Sequence, residues 1–188
     1  MAKVYEFLAD GFEEVEAMAP VDILRRGGVD IKTVSVTGSE WATSSHGVTM
    51  KADLVFTRPE DFADADMILL PGGLPGATNL NEHEGVRATL LAQAKAGRRI
   101  GAICAAPMVL GSLGLLEGKK ATCSPGFERY MTGADYTAEL FQEDGMILTG
   151  EGPAATLPYA YHILSYFVPE EQVKDLQVKM QYAHLMGK

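Results

Sequence analysis

Short apolar runs alternate with polar stretches of helical period along the whole chain. Lys3 to Ala9 (KVYEFLA) reads as a first strand, which Asp10-Gly11 ends. Glu13 to Arg26 then places Val15, Met18, Ala19, Ile23 and Leu24 near helical spacing and closes on Gly27-Gly28, while Pro20 predicts a kink or a restart inside it. Val29 to Val36 is a second strand. Trp41 to Met50 reads as an extended excursion or short hairpin, followed by a short helical piece near Pro59 to Phe62. Asp66 to Leu70 is a brief strand running into Pro71-Gly72-Gly73, and its apolar residues on both faces suit a buried parallel sheet. Glu84 to Ala96 is the next helix, with Val86, Leu90, Leu91 and Ala94 on one side and Gly97 as its stop.

The second half continues the alternation. Ile100 to Ile103 is a strand that turns at Cys104 into a helix beginning near Pro107 and reaching about Leu113. Lys120 to Cys123 is a further strand. Ala138 to Gln142 and Met146 to Thr149 form a hairpin around Asp144-Gly145, a strong turn dipeptide. Pro153 to Phe167 is helical despite Pro158, and Glu170 to Met186 is a charged, amphipathic last helix. Strand and helix in alternation, with short apolar strands, predict one α/β domain with helices on both faces of a mostly parallel sheet. In such sheets the functional crevice lies beyond the carboxyl ends of the strands. That rule brings the loop Asp10 to Glu16, the loop Pro71 to Gly76 and Cys104 to one rim.

Composition narrows the partners. The chain of 188 residues is 47% apolar and 22% charged, long enough for a substantial core. A formal net charge of −9 and singly spaced Lys and Arg argue against nucleic acid or an anionic membrane surface as partner. No apolar run approaches the ~20 residues of a membrane span, and the start shows no signal-peptide pattern, so the expected location is cytoplasmic. Two cysteines make no disulfide framework, and each calls for its own explanation.

Cys104 sits in Arg99-Ile-Gly-Ala-Ile-Cys-Ala-Ala-Pro107, where small neighbours permit a tight strand-to-helix turn, a nucleophile elbow. The helix end that follows is expected to favour thiolate over thiol. Gly72 and Gly73 can bring backbone N–H groups close to a ligand, and with the Ala105 N–H they make a candidate oxyanion hole. An ordinary tight turn is the alternative for the glycine pair. Glu13 and Glu14 open the first helix as dipole partners, whereas Glu16, one turn in, is placed to face inward. A buried Glu16 carboxyl would hold its proton and donate to the Cys104 thiolate, or act as general acid and base toward a carbonyl. Among the histidines only His46, in a polar loop, is a rim candidate. Cys123 is either a resolving partner for Cys104 or an apolar core residue. No ligand cluster or phosphate-binding glycine motif suggests a metal or organic cofactor.

In that order, Asp10-Gly-Phe-Glu-Glu-Val-Glu16, Leu70-Pro-Gly-Gly73 and Ala102-Ile-Cys-Ala-Ala-Pro107 resemble the ThiJ/PfpI superfamily, specifically its parkinsonism-associated deglycase branch. The similarity extends through Thr122-Cys-Ser-Pro-Gly126 and Leu148-Thr-Gly150. It implies a flavodoxin-like three-layer sandwich, a reactive Cys104 with a protonated Glu16 partner, oxyanion donors at Gly73 and Ala105, and a homodimer. Two positions depart from relatives: Ser124 stands where some members have histidine, and Ala105 where peptidase-like members have one. The resemblance implies cofactor-free chemistry on small reactive carbonyls, of the glutathione-independent glyoxalase or deglycase kind, converting methylglyoxal to lactate. The alternative is a redox sensor or stress-protective chaperone working through oxidation of Cys104. A peptidase, amidase or thiazole-biosynthesis role comes third.

Overall fold

The computed structural model describes residues 2–187. In chain order the elements are β1 (Lys3–Leu8), α1 (Glu14–Arg26), β2 (Asp30–Ser35), β3 (Trp41–Thr43), β4 (Thr49–Lys51), β5 (Leu54–Val55), β6 (Met67–Leu70), α2 (Gly76–Glu82), α3 (Glu84–Lys95), β7 (Arg99–Ile103) and α4 (Pro107–Ser112). They continue with β8 (Lys120–Ala121), β9 (Asp135–Tyr136), β10 (Phe141–Asp144), β11 (Ile147–Gly150), α5 (Thr156–Ser165), α6 (Glu170–Lys179) and α7 (Tyr182–Leu185). Single 3₁₀ turns occupy Pro59–Phe62, Glu128–Tyr130 and Pro153–Ala155.

The central sheet has the order β10-β11-β7-β6-β1-β2-β5, and every neighbouring pair is parallel except the β10–β11 hairpin. Alternation along each strand divides the interior into two cores. Tyr5, Phe7, Ile68, Leu70, Ile100 and Ala102 face one, with Leu80, Val86, Leu90, Val109 and Leu110 of α2, α3 and α4. Val4, Met67, Leu69 and Ile103 face the other, with α1, α5 and α6 supplying Ile23, Leu24, Ile163, Leu164, Val173 and Leu176. This is the expected three-layer, flavodoxin-like sandwich. Because β2 lies on one side of β1 and β6 on the other, the winding reverses between β1 and β6, and the loops after those strands border the resulting crevice.

Several expectations are corrected in detail. Helix α1 runs through Pro20 without a break, and its inward stripe is Glu16, Ala17, Pro20, Val21, Ile23 and Leu24, while Val15 is half exposed. In α3 it is Leu91 that is exposed; Gln93 takes an inward place because its amide donates to the carbonyls of Ala65 and Arg99. Helix α2 has no counterpart in the sequence reading. Its Gly- and Asn-containing sequence has weak helix propensity, and burial of Ala77 and Leu80 holds it. The strand expected over Lys120 to Cys123 stops at Ala121 and pairs with β9 outside the main sheet. Both neighbours of β7 are already taken, and the N–H groups of Thr122 and Ser124 are diverted to Thr149 Oγ1 and Cys104 O. Strand β10 starts at Phe141 rather than Ala138, which has a left-handed φ of 51°. The last helix is two helices, broken at Gln181 with a φ of 57°. The Trp41 to Met50 excursion is the antiparallel β3–β4 hairpin. Among the described residues, no helix is long and apolar enough to cross a membrane.

Gly101, in the strand that carries Cys104, marks a close contact between the sheet and α5. A Cβ there would lie 2.5 Å from the Tyr159 hydroxyl of α5 and 2.7 Å from Leu69 Cδ2. Gly101→Ala is therefore expected to destabilise the protein by about 1–3 kcal/mol through overpacking, read as a lower urea midpoint with an unchanged m-value. Unaltered stability would mean that the Tyr159 ring can withdraw without loss.

Candidate active site

Strand β7 delivers Cys104 to the carboxyl rim with a φ of 64°, a left-handed conformation uncommon for a residue with a side chain. This is the backbone of a strand-to-helix elbow. The Cys104 N–H donates to Gly150 O at 2.9 Å, and the Cys104 carbonyl accepts from the Ser124 N–H at 2.9 Å, so neighbouring loops hold the elbow from both sides. Ala105 and Ala106 are buried in the turn, and their small side chains let it close.

The loop after β6 passes between Cys104 and α1. A Cβ on Gly72 would lie 2.7 Å from Cys104 Cβ and 2.7 Å from Glu16 Oε2, so glycine alone lets the two approach. In that space the Gly72 N–H donates to Glu16 Oε2 at 2.8 Å, and the Gly72 carbonyl accepts from the Glu13 N–H at 3.0 Å. The Gly72 N–H is thus committed to Glu16, and the expectation that it faces substrate is corrected. Gly73, with a φ of 84°, turns its own N–H toward the Cys104 sulfur. The Ala105 N–H has no backbone acceptor among the described residues, which leaves it free for a ligand.

Glu16 is fully buried. Its N–H donates to the Glu13 carboxylate at 2.7 Å, so Glu13 caps α1, as its place in the first turn suggests. Burial raises the Glu16 pKa to about 7 against the pull of hydrogen bonds from Cys104 and Gly72, and the charge of Glu13 adds to the rise. Oε1 is buried with no hydrogen-bond partner. Cys104 is also pushed up, to about 12, first by burial and then by the charge of Glu16, while the Gly73 N–H and the Ser124 hydroxyl pull the other way. The expectation of a resting thiolate stabilised by the following helix is not met. Helix α4 has six residues and begins three positions after Cys104, so its dipole is weak at the sulfur. Protonation of Glu16 removes the charge that opposes the thiolate and turns the carboxyl into a donor.

The remaining candidates separate clearly. Ser124 joins Cys104 through both its backbone and its hydroxyl. His46 does not join it: the exposed ring bonds Glu14 Oε2 at 3.1 Å at the mouth of the β3–β4 hairpin. Glu13, Glu14 and His46 bring donor atoms within 4.8 Å of one another, but Glu13 already serves as the cap. Cys123 is fully buried in the core beneath α3 and α4, whereas Cys104 packs against the core of α1 and α5. Burial pushes the Cys123 thiol up to about 12, and the apolar-core alternative is the one its placement matches. Glu6, missed in the apolar-looking first strand, is 1% exposed, and its Oε2 lacks a partner. Burial pushes its pKa well up, so a second acid lies beneath α1. Its alternation with Val4 and Leu8 was the available signal.

Comparison with known proteins places this geometry. The DJ-1/PfpI family profile matches residues 2–166. Protein DJ-1 homolog B of Arabidopsis thaliana is 36% identical over 178 residues, 93% of this chain, which spans about two fifths of that relative's length (40%). A deglycase of Pyrococcus horikoshii is 34% identical over 137 residues, covering 70% of this chain and 78% of the relative. The solved structure of oxidised DJ-1 from Toxoplasma gondii superposes with a TM-score of 0.89 at 31% identity, covering 97% of this chain and 100% of that one. A profile match over most of the chain, and a shared backbone over nearly all of it, leave one assignment: this chain belongs to the DJ-1/PfpI family.

Proposed function

We propose that the chain is a cysteine-dependent, stress-protective enzyme acting on small reactive carbonyls, with an α-oxoaldehyde such as methylglyoxal as substrate. The observation that carries this reading is the buried Glu16 carboxyl held against the Cys104 elbow through Gly72, with the Gly73 N–H turned to the sulfur. The similarity to a deglycase supports the carbonyl class.

Cys104 Sγ bonds to the aldehyde carbon as the thiol proton passes to the Glu16 carboxylate and on to the aldehyde oxygen, giving a hemithioacetal. The Gly73 and Ala105 N–H groups stabilise the charge that develops on that oxygen. As carboxylate, Glu16 takes the C1 proton and returns it to C2, the hydroxyl proton moving to the former ketone oxygen, so that a thioester forms. Water then cleaves the thioester, releasing the 2-hydroxy acid and restoring the thiol. Methylglyoxal and water yield lactate, and no oxidant, metal or organic cofactor enters the balance. The chain works in the cytoplasm as a homodimer in this reading, and the exposed apolar side chains of Val15, Trp41 and Val48 suit pairing of two copies. Sensing by oxidation is a second reading, favoured by the unpartnered Glu16 Oε1, which would donate to a sulfinate oxygen on Cys104.

Purified protein without glutathione is expected to form lactate from methylglyoxal. Cys104→Ser should abolish turnover, and Glu16→Gln should lower it about 10²–10⁴-fold, because an amide cannot carry the proton. The rate of hemithioacetal formation should rise with pH through about 7, where the pair passes from two protons to the single shared one that Glu16 relays from the thiol. Turnover that survives in Cys104→Ser would overturn the reading. Absence of turnover, with a two-oxygen mass gain confined to Cys104, would favour the sensor.

Protonation of Glu16 can be read separately as stability. Its folded pKa lies above the unfolded carboxylate value, so the protonated form stabilises the fold fully below about 4.5, and that contribution fades as pH rises to about 7. Wild type should lose up to about 3 kcal/mol relative to Glu16→Gln across this window in urea unfolding at stepped pH. A flat difference would show that Glu16 is ionised throughout.

A further inference from the structure

A group of metal-ligating side chains that includes neither Cys104 nor Glu16 stands where α1 begins. Glu13, Glu14 and His46 each offer one donor atom, and the three atoms lie within 4.8 Å of one another. The two carboxylates open α1, and the imidazole comes from the β3–β4 hairpin, 32 positions from Glu14. The hairpin is fastened to the loop before α1 through its backbone. The Gly11 N–H donates to Thr43 O and the Ser45 N–H to Phe12 O, both at 2.7 Å, and the Thr43 N–H donates to Asp10 Oδ1 at 2.8 Å. His46 is thus brought to Glu14 by bonds in which it takes no part.

Spacing and charge both suit a cation. Two ligand atoms held about 2.0–2.1 Å from a tetrahedral zinc ion stand about 3.3 Å apart. His46 Nδ1 lies 3.1 Å from Glu14 Oε2. The other pairs are within 4.8 Å, so side-chain rotation of no more than about 1.5 Å closes the triangle. Glu13 is 9% exposed and is held at two points, its N–H on Gly72 O and its Oε2 on the Glu16 N–H. Among the described residues Glu13 Oε1 has no hydrogen-bond partner, and neither carboxylate has a Lys or Arg ion pair. A carboxylate so far out of water with a single donor on its oxygens is under-compensated, and a cation supplies what it lacks. Two carboxylate charges also exceed the roughly half positive charge at the start of α1.

The donor set decides which cation. Calcium takes six to eight oxygen ligands and magnesium an octahedron of them, whereas one imidazole with two carboxylates matches a borderline divalent ion. From these observations we infer that Glu13, Glu14 and His46 form a three-ligand site for a divalent transition-metal ion of the zinc class, with a fourth position left for water. The ion clamps the start of α1 to the β3–β4 hairpin. Its ligands leave Cys104 and Glu16 free, so the site stands independently of the carbonyl chemistry.

The test titrates zinc chloride into the full chain after chelator treatment, followed by calorimetry, with Cys104→Ser as the parent so that the rim thiol does not compete. Saturable binding of one ion per chain is expected. His46→Ala and Glu14→Gln, each added to that parent, should weaken it at least about tenfold, since loss of a ligand costs no less than loss of a group that orients one. The His46 ring is exposed, so without zinc the His46→Ala chain should melt with its parent. Zinc should raise the melting temperature of the parent and leave that of the His46→Ala chain where it was. Absence of saturable binding, an affinity unchanged by either substitution, or displacement of zinc by an equal concentration of magnesium would each overturn the proposal.

Discussion

The site depends on one buried hydrogen bond, from the Gly72 N–H to the Glu16 carboxyl. A carboxyl taken wholly out of water must keep its proton or find donors, and here one backbone donor meets one of its two oxygens. That bond constrains much around it. The Gly72 position cannot carry a Cβ, since one would strike both Cys104 and Glu16. Helix α1 must begin where Glu13 can cap it and also donate to the Gly72 carbonyl, so the loops after β1 and β6 are joined along their backbones. Cys104 must turn through a left-handed conformation to bring its sulfur to the same point. The winding of the sheet places these three loops side by side, and Gly72 locks them.

Much of this was legible in the sequence because it is local. The apolar run ending in Pro71-Gly72-Gly73, the small residues around Cys104 and the place of Glu16 one turn into a helix are signals carried within a few residues. The family resemblance rests on the same stretches. The use made of Gly72 was not legible, because its N–H partner lies 56 positions away. The direction of the Cys104 shift was misjudged for a related reason. A helix start is visible in sequence, but the burial and the adjacent carboxylate that outweigh it are properties of the assembled rim. The Lys120 to Cys123 strand was misplaced because strand pairing is decided by which sheet positions remain open, and β11 had closed that one.

Separation of the two cores also divides the thiols, Cys104 packing with the core of α1 and α5 and Cys123 with that of α3 and α4. Alternation along β7 puts Ile100 and Ala102 on the α3 and α4 side, and the elbow then carries Cys104 to the other. Cys123 stays on the α3 and α4 side, so the two cysteines of the chain occupy different environments although the backbone of Ser124 touches that of Cys104. Sequence proximity to an active loop is a poor guide to which face of a sheet a side chain enters.

A raised thiol pKa at a reactive cysteine looks unfavourable only if Cys104 is considered by itself. Cys104 and Glu16 share one environment, and the charge of either disfavours charge on the other. With one proton between them, the sulfur gains nucleophilic character when the carboxyl holds that proton, and the carboxyl becomes a base once the sulfur has bonded to carbon and its charge is gone. Burial that disfavours two negative charges together therefore couples bond formation at sulfur to proton release at Glu16. Replacing the rim by a solvated one would relieve the desolvation of both groups and would also uncouple them, since water would screen each charge from the other.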